Sequence, residues 1–193
     1  LIASTYQAAS GAGAAALQEL LQSTRAALAG ESFTPRVLRH PYAFNLYSHD
    51  SAVDPHSGSN GEEIKVMQEL RKILGLAQLP VSVTCIRVPV LRAHAISLTA
   101  QFERPIEAAA ARELLGAAPG VRVVDDAAAN HFPMPVEASG QGEVLVGRLR
   151  ADGSDPSGHS LSMFVAGDQL LKGAALNAVQ IAEALAPALA PAR

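Results

Sequence analysis

The stretch that decides the fold is Val81-Ser82-Val83-Thr84-Cys85-Ile86-Arg87-Val88, at residues 81–88. Its β-branched residues and its alternation predict a strand, one face of which is apolar as far as Cys85 and then carries Arg87. A guanidinium on an apolar row needs an anionic partner, because an unpaired buried charge costs several kcal/mol. That partner is either an internal Asp or Glu or the carboxylate of a bound ligand, to which arginine offers a planar pair of donors.

A second candidate residue, His94, lies seven positions after Arg87. In one unbroken strand, an odd separation points two side chains to opposite faces of the sheet. Pro89 cannot donate a hydrogen bond to a neighbouring strand, however, and a break there would let both side chains face one site. A histidine in this place is a general base, a surface residue or a core residue whose ring nitrogens are satisfied.

Outward from this segment, strand and helix patterns alternate irregularly, and short links join several of the strands. This combination favours an α+β fold in which a mixed, mostly antiparallel sheet is covered by helices. Strands are predicted at 1–6, 81–88, 94–102, 121–124, 143–149 and 161–166, and helices at 14–29, 62–74, 105–115 and 172–185.

The two longest helix patterns in the first half of the chain carry clear end signals. The first ends before Gly30, and its core-facing positions are predicted to be Leu17, Leu20, Leu21, Thr24 and Leu28. In the second, Asn60 is the expected N-cap and Gly75 the expected end. Glu62 and Lys65 are three positions apart on that helix and can meet. They form either a solvated ion pair or a bipolar site for an ammonium and an anion.

Two further features are weaker on their own. Gln7 follows a strand and precedes the small-residue turn Ser10-Gly11-Ala12-Gly13, where the backbone can approach a ligand closely. Cys85, the one cysteine, lies between apolar neighbours and is interpreted as an inert core thiol.

Bulk properties exclude several classes of protein. The 193 residues suffice for one domain, and 49% of them are hydrophobic. The net charge of −3 and the lack of a basic run argue against a nucleic-acid partner. No apolar stretch reaches membrane-spanning length, which argues against a membrane protein. A single cysteine excludes a disulfide framework, the histidines lack metal-ligand spacing, and no GxGxxG motif follows a strand.

Five segments in order along the chain resemble the aspartate-semialdehyde dehydrogenase family and together span nearly all of it. Such an ordered set is far more specific than any single pair of residues. It favours the functional alternative at five positions: Gln7, Glu62, Lys65, Arg87 and His94. The segments are residues 4–13 (Ser-Thr-Tyr-Gln-Ala-Ala-Ser-Gly-Ala-Gly), 42–46 (Tyr-Ala-Phe-Asn-Leu), 62–65 (Glu-Glu-Ile-Lys), 85–94 and 172–183.

The resemblance implies a C-terminal catalytic and dimerisation domain with the fold of the glyceraldehyde-3-phosphate dehydrogenase C-terminal domain. The family reduces L-aspartyl 4-phosphate with NADPH to L-aspartate 4-semialdehyde and phosphate, through a thioacyl enzyme, and acts as a homodimer or homotetramer. This step feeds lysine, threonine, methionine and isoleucine synthesis.

The matching positions imply roles for eight residues. His94 would be the acid/base and Gln7 would position the acyl group. Substrate binding would fall to Arg87 at the α-carboxylate, Glu62 at the ammonium and Lys65 at the phosphate. Ser10, Gly11 and Asn177 would lie near the nicotinamide, and no residue would bind a metal.

Some features depart from the family pattern. The nucleophilic cysteine and the Rossmann NADP-binding domain belong upstream of residues 1–193, so these residues alone are expected to be inactive. The segment Asp50–Asn60 is more polar than usual. Similarity at residues 42–49 and 125–126 suggests plant or algal members, which act in the plastid, with the bacterial cytoplasm as the alternative. Two other functions stay open: an acyl-phosphate reductase of the N-acetylglutamyl-phosphate type, or a non-catalytic dimerisation module or paralogue.

Overall fold

In the computed structural model, which describes the backbone of residues 1–189 and the side chains of residues 1–186, one seven-stranded sheet forms the centre of the chain. Helices flank this sheet. The strands are β1 (Ile2–Gln7), β2 (Tyr47–Ser48), β3 (Ser82–Arg87), β4 (His94–Gln101), β5 (Val121–Val123), β6 (Val144–Ala151) and β7 (Ser160–Gly167). The α-helices are α1 (Ala14–Ala29), α2 (Gly61–Leu74), α3 (Ala108–Gly116), α4 (Pro135–Ala138) and α5 (Leu176–Leu189). A 3₁₀ turn (Ala9–Ala12) precedes α1, and a π-helix (Leu171–Ala175) precedes α5.

The strand order is β2-β3-β1-β4-β7-β6-β5. The pairs β1/β3 and β5/β6 are parallel, whereas β1/β4, β2/β3, β4/β7 and β6/β7 are antiparallel. The predicted α+β class with a mixed, mostly antiparallel sheet is therefore confirmed. Strand β1 lies between the parallel β3 and the antiparallel β4, so the end of β1 meets the end of β3 and the start of β4.

Helix α2 is fixed at its start by the cap that the sequence predicts. The Asn60 side chain accepts from the Glu63 amide at 3.0 Å, and the Glu63 carboxylate accepts from the Asn60 amide at 2.9 Å. The same Glu63 carboxylate accepts from the Cys85 amide of β3 at 3.0 Å. Val66 and Met67 pack against the apolar cluster of the sheet. The start of α2 is thus attached directly to β3.

The buried stripe of α1 differs from the predicted one. Glu19 is buried because its carboxylate accepts three backbone N–H groups, at residues 36–38, over 2.6–2.8 Å. The stripe therefore runs through Glu19, Leu20 and Ser23. The prediction of Leu28 as a core residue is wrong, since it is 76% exposed at the last turn.

Element boundaries differ from the prediction where distant contacts decide them. The helix predicted from Pro105 begins at Ala108, because Phe102 and Ile106 donate instead to the carbonyls of His159 and Gly158. The last helix starts one residue early, as a π-helix. The sequence did not predict the two-residue β2 or the four-residue α4.

Candidate functional site

Three polar side chains occupy the end of the sheet face that α2 covers. On this face the buried residues of β1 and β3 are in register, with Ala3 opposite Val83, Thr5 opposite Cys85 and Gln7 opposite Arg87. On the other side of β1, Tyr6 pairs with Ala95, which places His94 beside Gln7. Arg87, Gln7 and His94 therefore lie next to one another across three strands, where the apolar row ends.

The break between Arg87 and His94 explains how both can face one site. β3 ends at Arg87 and β4 begins at His94, so the alternation of one strand does not connect them. Ala93, in the connection, takes a left-handed backbone conformation with φ 70°. Carbonyls of the same connection accept from the amides of Ala9 and Ser10 at 2.8 and 3.0 Å. The predicted break is confirmed, and it anchors the 3₁₀ turn after Gln7.

His94 is held by that turn. The Ala8 amide donates to His94 Nδ1 at 3.0 Å, so the neutral ring carries its proton on Nε2. A Cβ on Gly11 would lie 3.1 Å from both Cε1 and Nε2 of His94, which explains why a glycine packs against the ring. Burial, and then the charge of Arg87, lower the pKa of His94 to about 4. At neutral pH, His94 is an uncharged donor at Nε2.

Arg87 is 7% exposed and has an internal acidic partner. Its Nε and Nη2 both donate to Asp50 Oδ1 at 3.3 Å, and Nη2 lies 2.9 Å from His49 Nε2. Burial raises the pKa of Asp50, but its own backbone amide and Arg87 outweigh burial and hold that pKa below its usual range. Nη1 lies 3.8 Å from the place of a Cβ on Gly11, so it faces the His94 side.

Glu62 and Lys65, on the first turns of α2, complete the site. Gln7 Nε2 donates to Glu62 Oε1 at 3.3 Å, and Lys65 Nζ lies 2.7 Å from Glu62 Oε2. The Glu62 side chain is 19% exposed, whereas that of Lys65 is 52% exposed. Burial raises the pKa of Glu62, but the hydrogen bond and charge of Lys65, with the hydrogen bond from Gln7, lower it below its usual range. An anionic and a cationic group thus stand side by side at the rim.

A cavity of about 320 Å³ lies beside His94, and the predicted cofactor-contacting residues contact parts of its wall. Gly167 pairs with His94 across the sheet, and the cavity is also lined by Gln169 and Lys172. Ser10 accepts a hydrogen bond from Gln169. Asn177 accepts from Lys172 Nζ at 3.2 Å. Ser10 and Asn177 therefore each contact a residue of the cavity wall, and Gly11 contacts His94.

Cys85 has no accessible surface and lies mid-strand in the cluster with Ala3 and Val83. Burial raises the pKa of its thiol. The interpretation of Cys85 as a core residue is therefore confirmed, and its burial agrees with an inert thiol. Among the residues that the structure describes, no group of three or more His, Cys, Asp or Glu side chains could hold a metal ion. No helix within that part of the chain has the length and apolar character needed to cross a bilayer.

Sequence reasoning missed three residues around Arg87: His49, Asp50 and Tyr42. The Tyr42 hydroxyl lies within hydrogen-bond distance of the carbonyls of Gln7 and Val88, which share its one proton. Burial raises the pKa of that hydroxyl. The sequence does indicate that a buried arginine such as Arg87 needs an acidic partner. No local pattern in the sequence, however, identifies residue 50 as that partner.

The pKa of His94 gives a direct test of this geometry. Because the folded value lies below the ordinary 6.5, the associated stability is fully present above pH 6.5 and is lost as the pH falls through about 4. We expect the His94 ring resonances, assigned by comparison with His94→Asn, to titrate near pH 4 in NMR spectra. Arg87→Leu should raise that pKa, since it removes a neighbouring positive charge. A His94 that titrates near 6.5 would contradict the burial and the Arg87 contact.

Comparison with known proteins gives consistent matches. Residues 1–172 match the family model described as semialdehyde dehydrogenase, dimerisation domain. The aspartate-semialdehyde dehydrogenase of Synechocystis sp. is 45% identical over 185 residues, covering 96% of this chain and 54% of that protein. That of Aquifex aeolicus is 44% identical over 187 residues, with the same two coverages. The chain spans about half the length of the curated relatives it matches.

Solved structures agree with the fold. Aspartate semialdehyde dehydrogenase II of Vibrio cholerae, crystallised in complex with ASA, matches with a TM-score of 0.92 and 34% identity, covering 98% of this chain and 55% of that one. The Candida albicans enzyme with NADP has a TM-score of 0.64 at 22% identity and shares the fold alone. Both sequence relatives are bacterial, so the comparisons do not support the plastid assignment.

Proposed function

Because the chain belongs to the semialdehyde dehydrogenase family, whose dimerisation domain residues 1–172 match, we propose that it is the C-terminal catalytic and dimerisation domain of an aspartate-semialdehyde dehydrogenase. The family resemblance predicted from the five segments is thereby confirmed. The proposed reaction converts L-aspartyl 4-phosphate to L-aspartate 4-semialdehyde and phosphate. The domain would assemble as a homodimer or homotetramer, in the bacterial cytoplasm.

One observation carries the proposal: an acidic side chain, two basic side chains and a hydrogen-bond donor lie together at one end of the sheet. They belong to Glu62, to Arg87 and Lys65, and to His94. The substrate bears an ammonium, a carboxylate and a phosphate close together. Arg87 would bind the α-carboxylate through Nη1, whose N–H groups Asp50 and His49 leave free. Glu62 would bind the ammonium, using carboxylate lone pairs that Gln7 and Lys65 leave open. Lys65, half-exposed at the rim, would bind the phosphate.

His94 would act at Nε2. Because the Ala8 amide makes Nδ1 the acceptor, Nε2–H of the neutral ring can donate a hydrogen bond to the substrate oxygen on which negative charge develops. To transfer a proton from Nε2, the ring would first have to take up a second proton and become imidazolium, a form that negative charge developing on the substrate would favour. Gln7, hydrogen-bonded to Glu62, would position the acyl group between the ammonium site and His94.

The cavity beside His94 would take the nicotinamide. Gly167, Gln169 and Lys172 line it, and Ser10 and Asn177, which are hydrogen-bonded to Gln169 and Lys172, would supply polar contacts near the edge of the ring. When bound, NADPH would supply the hydride. The nucleophilic thiolate would come from the other half of the polypeptide, because the buried Cys85 does not suit that role.

The test is turnover by the full-length protein. We expect phosphate-dependent NADP⁺ reduction with aspartate semialdehyde and much weaker activity with N-acetylglutamate semialdehyde, which lacks a free ammonium. Glu62→Gln should raise the KM for aspartate semialdehyde about tenfold, the effect of losing one charged hydrogen bond worth roughly 1.4 kcal/mol. Glu69→Gln, an exposed change on the same helix, is the control.

Two results would contradict the proposal. A preference for the N-acetylated substrate would indicate the related acyl-phosphate reductase. Absence of activity with both substrates would indicate a non-catalytic paralogue. An unchanged KM in Glu62→Gln would mean that Glu62 does not bind the ammonium, although the proposed reaction would still stand.

A further inference from the structure

The segment at residues 47–51 connects the two places where the substrate would be bound. Tyr47 pairs with Arg87 across β2 and β3, and the His49 amide donates to the Cys85 carbonyl at 2.8 Å. Two residues later, Ser51 Oγ accepts from the Glu62 amide at 3.0 Å. One short stretch is therefore attached to β3 beside Arg87 and to the first turn of α2 beside Glu62.

Within this segment, Asp50 and His49 occupy one side of the Arg87 guanidinium. Asp50 Oδ1 accepts from Nε and Nη2, while His49 Nε2 lies 2.9 Å from Nη2. A neutral His49 can accept there with Nε2 in the tautomer that carries its proton on Nδ1, which then donates to Ser51 Oγ at 3.1 Å. Burial, followed by the Arg87 charge, lowers the pKa of His49. Three of the five guanidinium N–H groups can thus be satisfied by the protein.

The remaining two N–H groups belong to Nη1, on the side of Gly11 and His94. Among the described residues Nη1 has no hydrogen-bond partner. An arginine side chain has several rotatable bonds, and its rotamer entropy opposes binding unless another contact has already fixed it. Fixing the Nε–Nη2 side fixes the plane of the guanidinium, and with it the direction of Nη1.

We propose that Asp50 is a positioning residue for the substrate carboxylate: it binds the Nε–Nη2 side of Arg87 and so directs Nη1 toward the ligand. This inference rests on the proposed function, in which Arg87 binds that carboxylate. The inference assigns a role to Asp50, the first residue of the unusually polar segment Asp50–Asn60. Asp50 acts through Arg87 and does not contact the substrate.

The experiment uses steady-state kinetics of the full-length enzyme with aspartate semialdehyde, NADP⁺ and phosphate. Asp50→Ala should raise the KM for the semialdehyde about tenfold, the loss of one charge-assisted hydrogen-bond pair, with kcat changed less than about twofold. Asp50→Asn, which keeps the acceptor oxygen, should recover much of the loss. Asp54→Ala removes a partly exposed acid of the same loop, whose side chain binds only nearby loop groups, and this variant should match the parent.

A double-mutant cycle with Arg87→Leu separates positioning from a general structural role. If Asp50 acts through Arg87, then Asp50→Ala in the Arg87→Leu background should leave the KM unchanged or lower it, because an unpaired carboxylate beside the site is removed. A further rise in KM in that background would overturn the proposal, as would equal losses in KM and kcat. If the unsubstituted enzyme is inactive, both this inference and the proposed function are overturned. If it is active and Asp50→Ala has the same KM and kcat, only the inference is overturned.

Discussion

Replacing His94 with asparagine is expected to lower kcat of the full-length enzyme by about 10²–10⁴, the range typical for removal of a positioned acid or base. Asparagine can still accept the Ala8 amide through its side-chain oxygen, so the 3₁₀ turn should stay in place. Its amide cannot give up a proton at neutral pH, however. The KM for aspartate semialdehyde should change little, because Arg87 and Glu62 carry the proposed binding contacts. Steady-state kinetics in both directions would measure the two effects separately.

The control for this prediction is His131→Asn. His131 is a partly exposed histidine that pairs with Glu137 at 2.8 Å and does not belong to the group formed by Arg87, Gln7 and His94. It should leave kcat within about twofold of the parent, as expected for a change away from the site. An unchanged kcat in His94→Asn would assign the proton transfer to another group. A large rise in KM with kcat intact would make His94 a binding residue instead.

Sequence patterns predict the parts of this fold that local interactions determine. The cap at Asn60 and the end at Gly75 lie where propensity and spacing place them. The alternation of polar and apolar residues in β3 is enough to identify Arg87 as a buried charge. These features depend on residues within a turn or a strand of one another, and short-range patterns are informative for them.

The arrangement of the site depends on register, which is not a local property. Arg87 and His94 face one site because β3 and β4 pair with opposite sides of β1. The sequence indicates only that the chain breaks between them. The partner of Arg87 comes from a loop 37 residues away, held by the two-residue β2. A strand of that length has no detectable pattern, so Asp50 could not be found from the sequence.

Replacing Arg87 with leucine is expected to reduce kcat/KM for aspartate semialdehyde by about 10²–10³, mainly through KM. Truncating one member of a buried, hydrogen-bonded charge pair costs about 2–5 kcal/mol, much of it from the charge left behind. In this variant the Asp50 carboxylate would stand unpaired beside the site and repel the carboxylate of the substrate. Arg87→Lys should lose less, since it keeps the charge, but it lacks the planar fork that Asp50 and the substrate would share.

The matched control is Arg122→Leu, which removes a half-exposed arginine paired with Glu143 at 3.2 Å on a distant strand and should leave kcat/KM unchanged. Far-UV circular dichroism and thermal unfolding would verify that both variants fold. Whether Arg87 contacts the substrate is tested by whether kcat/KM falls through a higher KM or through a lower kcat. If Arg87 binds the α-carboxylate, saturating semialdehyde should restore most of the rate in Arg87→Leu, because the proton at His94 Nε2 is still present. A rate that stays low at saturation would place Arg87 in the chemical step, whereas a variant as active as the parent would leave the buried Arg87–Asp50 pair as a structural contact only.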